Sequence, residues 1–322
     1  MSTAPTLMGE PPGRIAPVRD LANTFEFEAM AQRSLSAAAF AEIAGSDRST
    51  IERITFRPRM MVNTSHLDLT TELFGQRLFA PILVGPTGAQ KRYHPEGELA
   101  TVRGASAAKT AMVVSSGASF AMKEIAAQQP ATTLWYQVHP GADTAAQRRG
   151  IDEAVALGCK ALCITIGGSD WSAIDRLRQG LRIPVVLKGI MSPEEALSAI
   201  GKGIGGIVVS SHGRQPESGM AAPIEVLPAI AEAVAGKAPI LIDGNFRRGA
   251  DILKALALGA RAVLLGRPPL WALAAYGSPG VQAMLEMLQT ELARDMAMCG
   301  KPNPKSLDPA VVKIHARGPS RA

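Results

Sequence analysis

Eight short apolar runs, each rich in β-branched residues, recur along most of the chain. They begin at Pro81 (PILVG), Met112 (MVVSS), Thr133 (TLWYQV), Ala161 (ALCITI), Pro184 (PVVLKG), Gly206 (GIVVSS), Pro239 (PILIDG) and Ala262 (AVLLGRP). Runs without polar alternation suit strands that are buried on both faces, as in a parallel sheet. Helical stretches lie between them, over residues 95–109, 144–157, 193–200, 224–234 and 249–258. Glycine closes many of these stretches, as in LGCK, GKGIGG and LGAR. The mean spacing of about 26 residues is that of one strand–helix unit in a barrel of eight. A doubly wound open sheet is the competing α/β architecture, but no GxGxxG follows the first run. The pattern therefore predicts an α/β fold, a TIM (β/α)8 barrel, closed by a last helix over residues 281–298.

The remaining chain is arranged around that barrel. Residues 1–22 are Pro-rich and polar and read as a flexible arm without the apolar stretch of a signal peptide. Residues 23–78 form an N-terminal helical and irregular extension. Phe25, Met30, Leu35, Ala39, Phe40 and Ile43 recur at roughly helical spacing, and short extended pieces are expected at residues 54–56 and 66–69. The barrel spans residues 79–299 and a C-terminal tail spans 300–322. A chain of 322 residues has room for two domains, yet one barrel with an extension uses the same length.

Composition narrows the function. No run of about 18 uncharged apolar residues occurs, so no integral membrane segment is expected. Cys159, Cys163 and Cys299 are too few for a disulfide framework and lack metal-ligand spacing. They point to buried thiols, to no metal site and to a reducing, cytoplasmic setting. The net charge of +6 comes from Lys and Arg spread along the chain, and with aromatics at 4% there is no base-stacking platform. Nucleic acid is therefore not an expected partner; a small anionic substrate is.

In such a barrel the chemistry gathers at the carboxyl ends of the strands. The polar groups there are Thr87, Ser115, Ser116, Gln137, His139, Thr165, Lys188, Ser210, His212, Arg214, Asp243, Arg247 and Arg267. Lys188 ends an apolar run, either as a fixed cation facing the barrel mouth or as a snorkelling surface lysine. His212 follows IVVSS directly, either as a proton-transfer group or as a satisfied structural histidine. Arg214 offers a planar fork for a carboxylate. Arg247 and Gly266–Arg267 follow the last two strands, where barrels often hold phosphate; exposed surface charge is the alternative.

Three stretches carry a family resemblance. They are FRPRMMVNTSHLDLTTELFGQRLFAPILVGPTGAQKRYHPEGELATVRGASAAKTAMVVSSGAS, PVVLKGIMSPEEALSAIGKGIGGIVVSSHGRQ and PILIDGNFRRGADILKALALGARAVLLGRP. With them the chain resembles the FMN-dependent α-hydroxy acid oxidase and dehydrogenase family, whose members include glycolate oxidase, lactate oxidase and mandelate dehydrogenase. The resemblance implies FMN as cofactor. It also implies oxidation of a 2-hydroxy acid to the 2-oxo acid by hydride transfer to flavin N5. Pro86, Thr87 and Gly88 then match the first-strand loop whose backbone meets the flavin. Ser115, Gln137 and Thr165 match polar contacts to its ring. Lys188 matches the lysine that stabilises the anionic reduced flavin, and Ser210 belongs to the same cofactor set. His212 matches the base that takes the hydroxyl proton, and Arg214 the arginine that binds the substrate carboxylate. Asp243, Gly244, Arg247, Gly266 and Arg267 match the ribityl and phosphate site. Oxygen or another acceptor would reoxidise the flavin, and a homo-oligomer, a tetramer by resemblance, is implied.

The chain departs from the family at several positions. Glu42 stands where the family has a tyrosine in its N-terminal helix, and His139 stands where a second tyrosine follows the strand-three glutamine. His139 is thus a substrate-binding candidate or a solvated loop residue. Gly167 replaces the aspartate that pairs with the catalytic histidine, leaving Asp170 and Asp175 as substitutes. The interval of 22 residues between Thr165 and Lys188 lacks the family's long lid. SSHGRQ is one residue shorter than the family's motif. Two further readings therefore stand beside the first: an FMN barrel with altered chemistry on another substrate, and a flavin-binding protein with a decayed substrate site.

Overall fold

The computed structural model describes residues 14–59, 61–167, 171–213 and 219–316. The extension folds as helices α1 (Thr24–Ser34), α2 (Ala37–Ile43) and α3 (Ser49–Glu52), strand β1 (Ile54–Phe56) and the hairpin β2 (Thr71–Leu73) to β3 (Gln76–Leu78). Strands and helices then alternate. They run β4 (Ile82–Val84), α4 (Gly97–Ala107), β5 (Ala111–Ser115), α5 (Met122–Gln128), β6 (Leu134–Val138), α6 (Thr144–Ala156), β7 (Leu162–Thr165) and α7 (Trp171–Arg178). They continue as β8 (Val185–Ile190), α8 (Pro193–Gly201), β9 (Gly206–Val209), α9 (Pro223–Val234), β10 (Ile240–Ile242), α10 (Gly249–Ala257), β11 (Ala262–Leu265) and α11 (Arg267–Met298). A short strand, β12 (Val312–Ile314), follows near the end.

Strands β4 to β11 pair in sequence order, and β11 returns to β4, so the sheet is a closed barrel. Every residue of β4, β7, β9, β10 and β11 is buried. That burial on both faces explains why the runs carry no polar alternation. The helix starts use local side chains. Ser36 caps α2, Asp143 caps α6, and Ser192 caps α8 just ahead of Pro193. Each satisfies an amide that the first turn leaves without a partner.

The chain groups into two compact units. One holds the chain up to Gly45 with Ile82–Val186 and Leu265–Leu288; the other holds Ser46–Pro81, Leu187–Leu264 and the chain from Gln289. In the first, Leu83, Met112, Val113, Trp135, Ile151 and Ile164 are fully buried. The extension is tied in here: Trp271 Nε1 donates to Ile43 O at 2.7 Å, and the Tyr276 hydroxyl donates to Ala16 O at 2.7 Å. In the second, Leu187, Val208, Leu227, Leu241, Leu253 and Val263 are fully buried.

Four details differ from the sequence expectations. Residues 66–69 are irregular, and the extended pieces there are instead β2 and β3, turned by Phe74 (φ +52°) and Gly75 (φ +74°). Two successive left-handed residues make the tight turn that a hairpin favours. The last helix begins at Arg267, well before residue 281; its backbone leaves helical geometry at Gly277 (φ +60°), so two helices run end to end. Within the expected tail, β12 pairs antiparallel with β1, joining Ile54 to Ile314. Most of the expected arm lies outside the described residues, and in its described part Ala16 and Leu21 are buried.

No helix among the described residues is long and apolar enough to cross a membrane. All three cysteines are free thiols and buried. Burial pushes the Cys159 thiol up to about 12, which keeps it protonated and unreactive.

One charge inside α11 is placed at a cost. Burial, reinforced by the neighbouring Glu291 carboxylate, raises the Asp295 carboxyl from 3.8 to about 6. The folded chain therefore holds a proton that the unfolded chain releases earlier. Stability should grow as pH falls from about 6 toward 4, and Asp295 should be least favourable above that window. Asp295→Asn is thus expected to raise the urea midpoint at about pH 7.5, with the gain fading near pH 4. An equal gain at both pH values would contradict the assignment.

Candidate active site

The polar strand ends form two clusters, one in each unit. In the first unit a chain of hydrogen bonds crosses three neighbouring strands. Ser115 Oγ donates to Gln137 Oε1 at 3.0 Å, and Gln137 Nε2 donates to Thr165 Oγ1 at 2.9 Å. Strand register makes this possible. Ser115 pairs with Gln137 across β5 and β6, while Gln137 pairs with Cys163, so Thr165 lies two residues on along the same face. Gln137 and Thr165 are buried, and Ser115 also accepts the amide of Gly117 at 3.1 Å.

The loop after β4 is fixed by residues that sequence reasoning missed. Gln90 donates to Thr87 Oγ1 at 2.9 Å and to Thr87 O at 3.2 Å. Its Oε1 accepts from Thr101 at 2.6 Å. Glu98, also buried, accepts the amides of Gln90 and Ser119 at 3.1 and 3.0 Å. Pro86, Thr87 and Gly88 therefore sit on a rigid mount. A Cβ at Gly88 would lie 2.7 Å from Gly117 O, so no side chain fits there. In the sequence Gln90 and Glu98 do not stand out from their polar neighbours in QKRYHPEGELAT. Only the fold shows that they point inward.

The second cluster comes from three consecutive strands, with Lys188 inside β8 and Ser210 and Asp243 just past the ends of β9 and β10. Lys188 Nζ lies 2.8 Å from Asp243 Oδ2 and 2.9 Å from Ser210 Oγ. Ser210 Oγ in turn donates to Asp243 Oδ2 at 2.9 Å and accepts the His212 amide at 3.2 Å. Lys188 is 7% exposed, so it is no snorkelling surface lysine. Its side chain and that of Ser210 are held inside, where the carboxylate offsets the cost of a buried ammonium. His212 stands just past this triangle, exposed, with φ +58°. A left-handed backbone is unusual outside glycine, and it turns the chain sharply at the strand end.

Arg247 is buried, which removes the surface-charge alternative for it. Its Nη1 donates to Phe246 O at 3.0 Å. Asp251 Oδ2 accepts the amides of Arg247 and Arg248 at 2.8 and 2.9 Å, so a carboxylate occupies the start of α10. Gly266 and Arg267 stand at the start of α11, where the partial positive charge of the helix end favours an anion. A Cβ on Gly266 would meet nothing within 4 Å, so this helix end opens on free space.

Other candidates separate out. His139 is exposed beyond β6, with its carbonyl accepting from the Gln147 side chain. Arg214 and Asp170 lie outside the described residues. Asp175 pairs with Arg178 at 2.7 Å on its own helix. Glu42 accepts from Arg92 at 2.7 Å and from the Tyr93 hydroxyl at 3.1 Å. Burial and that carboxylate push Tyr93 up to about 12, so its hydroxyl stays a donor.

A polar chain on three strand ends, a lysine–serine–carboxylate triangle on three others and an open helix start beyond the last strand invite comparison with known barrels. The model of the FMN-dependent dehydrogenase family matches residues 27–167 and 167–314. The chain belongs to that family. L-lactate oxidase of Nostoc sp. is 34% identical, covering 91% of this chain and 98% of the relative. Human 2-hydroxyacid oxidase 1 is 34% identical, covering 84% and 88%. A crystal structure of mandelate oxidase superposes with a TM-score of 0.86 at 32% identity, covering 92% of this chain and all of that one. Flavocytochrome b2 superposes at 0.88 with 28% identity.

FMN is therefore the cofactor of this oxidoreductase, and the residues present fit it. Asp243 Oδ1 is buried and makes no hydrogen bond among the described residues, an acceptor left over for a hydroxyl-rich ligand. Lys188 uses two of its three donors on Ser210 and Asp243 among the described residues. The boundary between the two matched stretches falls at Gly167, within the interval that is short between Thr165 and Lys188.

Proposed function

We propose that the protein oxidises a small 2-hydroxy acid to the 2-oxo acid, with His212 as the base. The observation that carries this reading is the Lys188–Ser210–Asp243 triangle at the strand ends immediately before His212. Bound FMN supplies the ring nitrogen that accepts hydride from the substrate C2. The chain's residues do the rest. His212 takes the hydroxyl proton as the C–H bond breaks. Lys188 places a fixed positive charge where negative charge grows on reduction. Ser115, Gln137 and Thr165 present donors and acceptors to the ring edge. Asp243 and Gly244 hold the ribityl chain, while Arg247, Gly266 and Arg267 hold the phosphate. Arg214 takes the substrate carboxylate.

The substrate side differs from the cofactor side. Glu42 brings a carboxylate, already neutralised by Arg92, to the end of α2. Gly167 gives His212 no carboxylate partner at that position. The loss at Gly167 favours slower turnover than a base with an ionic partner there would give. Oxygen serves as acceptor in this reading, and the working form is a homo-oligomer in the cytoplasm.

Anaerobic mixing of the flavin-loaded protein with lactate, glycolate or mandelate tests the reading. Bleaching of the oxidised flavin band by one of them supports it. A bound flavin that none of them reduces would sink it and leave an FMN barrel with other chemistry or a decayed substrate site. Admitting air after bleaching then reads the acceptor: rapid return of the band marks oxygen.

A further inference from the structure

The loop between β10 and α10 carries Asp243, Gly244 and Arg247, and its shape is set at Asn245, which is not itself one of the proposed FMN contacts. Gly244 has φ +112° and Asn245 has φ +60°, so two left-handed residues follow one another. Glycine accepts this freely, whereas asparagine does so at some cost. What holds Asn245 there comes from the extension, about two hundred positions away in sequence. The Ser46 hydroxyl donates to Asn245 Oδ1 at 2.5 Å, and Asn245 Nδ2 donates to Asp47 O at 2.7 Å. Arg48 Nη1 donates to Asn245 O at 2.7 Å. Side-chain amide and backbone carbonyl of one residue are thus gripped by three consecutive residues.

Arg48 has a second task. Its Nη2 lies 3.0 and 3.1 Å from the two oxygens of Asp251, and the side chains of Arg48 and Asp251 are 12% and 3% exposed. Asp251 holds the amides of Arg247 and Arg248, so its charge sits beside the arginine that would meet a phosphate. A carboxylate there repels a phosphate dianion unless a cation offsets it, and at low exposure solvent screens it weakly.

We propose that the Ser46–Asp47–Arg48 segment is a positioning clamp for the phosphate end of FMN. It fixes the left-handed turn at Asn245, which aims Arg247, and Arg48 cancels the charge of Asp251. The inference rests on the reading that Arg247 binds the phosphate.

The test compares FMN with riboflavin, which lacks the phosphate. The full chain is stripped of flavin and titrated with each by fluorescence quenching. Arg48→Gln should weaken FMN by about tenfold or more while changing riboflavin by less than about twofold. Arg48→Lys, which keeps the charge and loses the fork, should fall between Arg48→Gln and the unmodified chain. Ser46→Ala, a milder cut at the same clamp, should shift the same ratio by a few fold. It carries the test if Arg48→Gln does not fold, as read by far-ultraviolet circular dichroism. Parallel weakening of both flavins, or no change in either, overturns the clamp. Arg247→Ala separates the two claims. If it leaves the FMN-to-riboflavin ratio unchanged, the phosphate reading fails. If it collapses the ratio while the clamp variants do not, the clamp alone fails.

Discussion

Replacing His212 by alanine is expected to slow anaerobic bleaching of the flavin by a 2-hydroxy acid by roughly 10²- to 10⁴-fold, the usual worth of a positioned general base. Flavin content should stay near that of the unmodified protein. The reason lies in the way β9 ends. The link between His212 and the lysine–aspartate triangle runs through its backbone amide, which donates to Ser210 Oγ at 3.2 Å. The side chain is exposed at the left-handed turn that follows. Removing the imidazole thus deletes a proton acceptor while Lys188, Ser210 and Asp243 keep their contacts. Flavin absorbance per chain and the rate of bleaching under saturating substrate give the two readouts. Unchanged bleaching in His212→Ala would remove His212 as the base. Loss of flavin together with bleaching would move it from proton transfer to cofactor binding.

Much of this architecture was legible because fully buried strands leave a simple trace. The run GIVVSS became β9, Gly206–Val209, and PILIDG became β10, Ile240–Ile242, with polar residues directly after each. These two strands, buried throughout, hold no polar residue, so the first polar residue marks where the chain leaves the barrel. That rule brought Ser210, His212 and Asp243 forward; Lys188 ends its apolar run in the sequence but lies inside β8, two residues before its end. What stayed hidden depends on partners distant in sequence. β12 is three residues long and makes sense only beside β1. The grip of Ser46, Asp47 and Arg48 on Asn245 leaves no periodicity to read. The hairpin at Phe74–Gly75 was missed because Phe occupies a left-handed position that Asn or Asp usually signals. The start of α11 was missed because Pro268, Pro269 and the YGSPG stretch look like loop, whereas proline suits the first turn of a helix.

Lys188→Met should produce the largest combined loss, in stability and in chemistry, and the two can be separated. The ammonium is 7% exposed and pairs with Asp243 at 2.8 Å. Breaking such a pair leaves a carboxylate with its positive partner gone, at a cost of about 3–5 kcal/mol when fully buried. The Asp243 side chain is 18% exposed, so solvent recovers part of this and about 3 kcal/mol is expected, read from urea unfolding. Lys188→Met with Asp243→Asn removes both charges and should regain most of that stability, because a neutral amide can still accept from Ser210. The chemistry should not return. With the fixed cation gone, nothing at that position favours the negative charge that hydride transfer adds, and bleaching should remain slower by about 10²-fold or more in both variants. The double variant thus isolates the catalytic part of the lysine from its structural part. If the double variant bleached at the rate of the unmodified protein, Lys188 would be a structural counter-ion to Asp243 and nothing more. If neither variant lost stability, the burial of the pair would be worth less than its geometry implies.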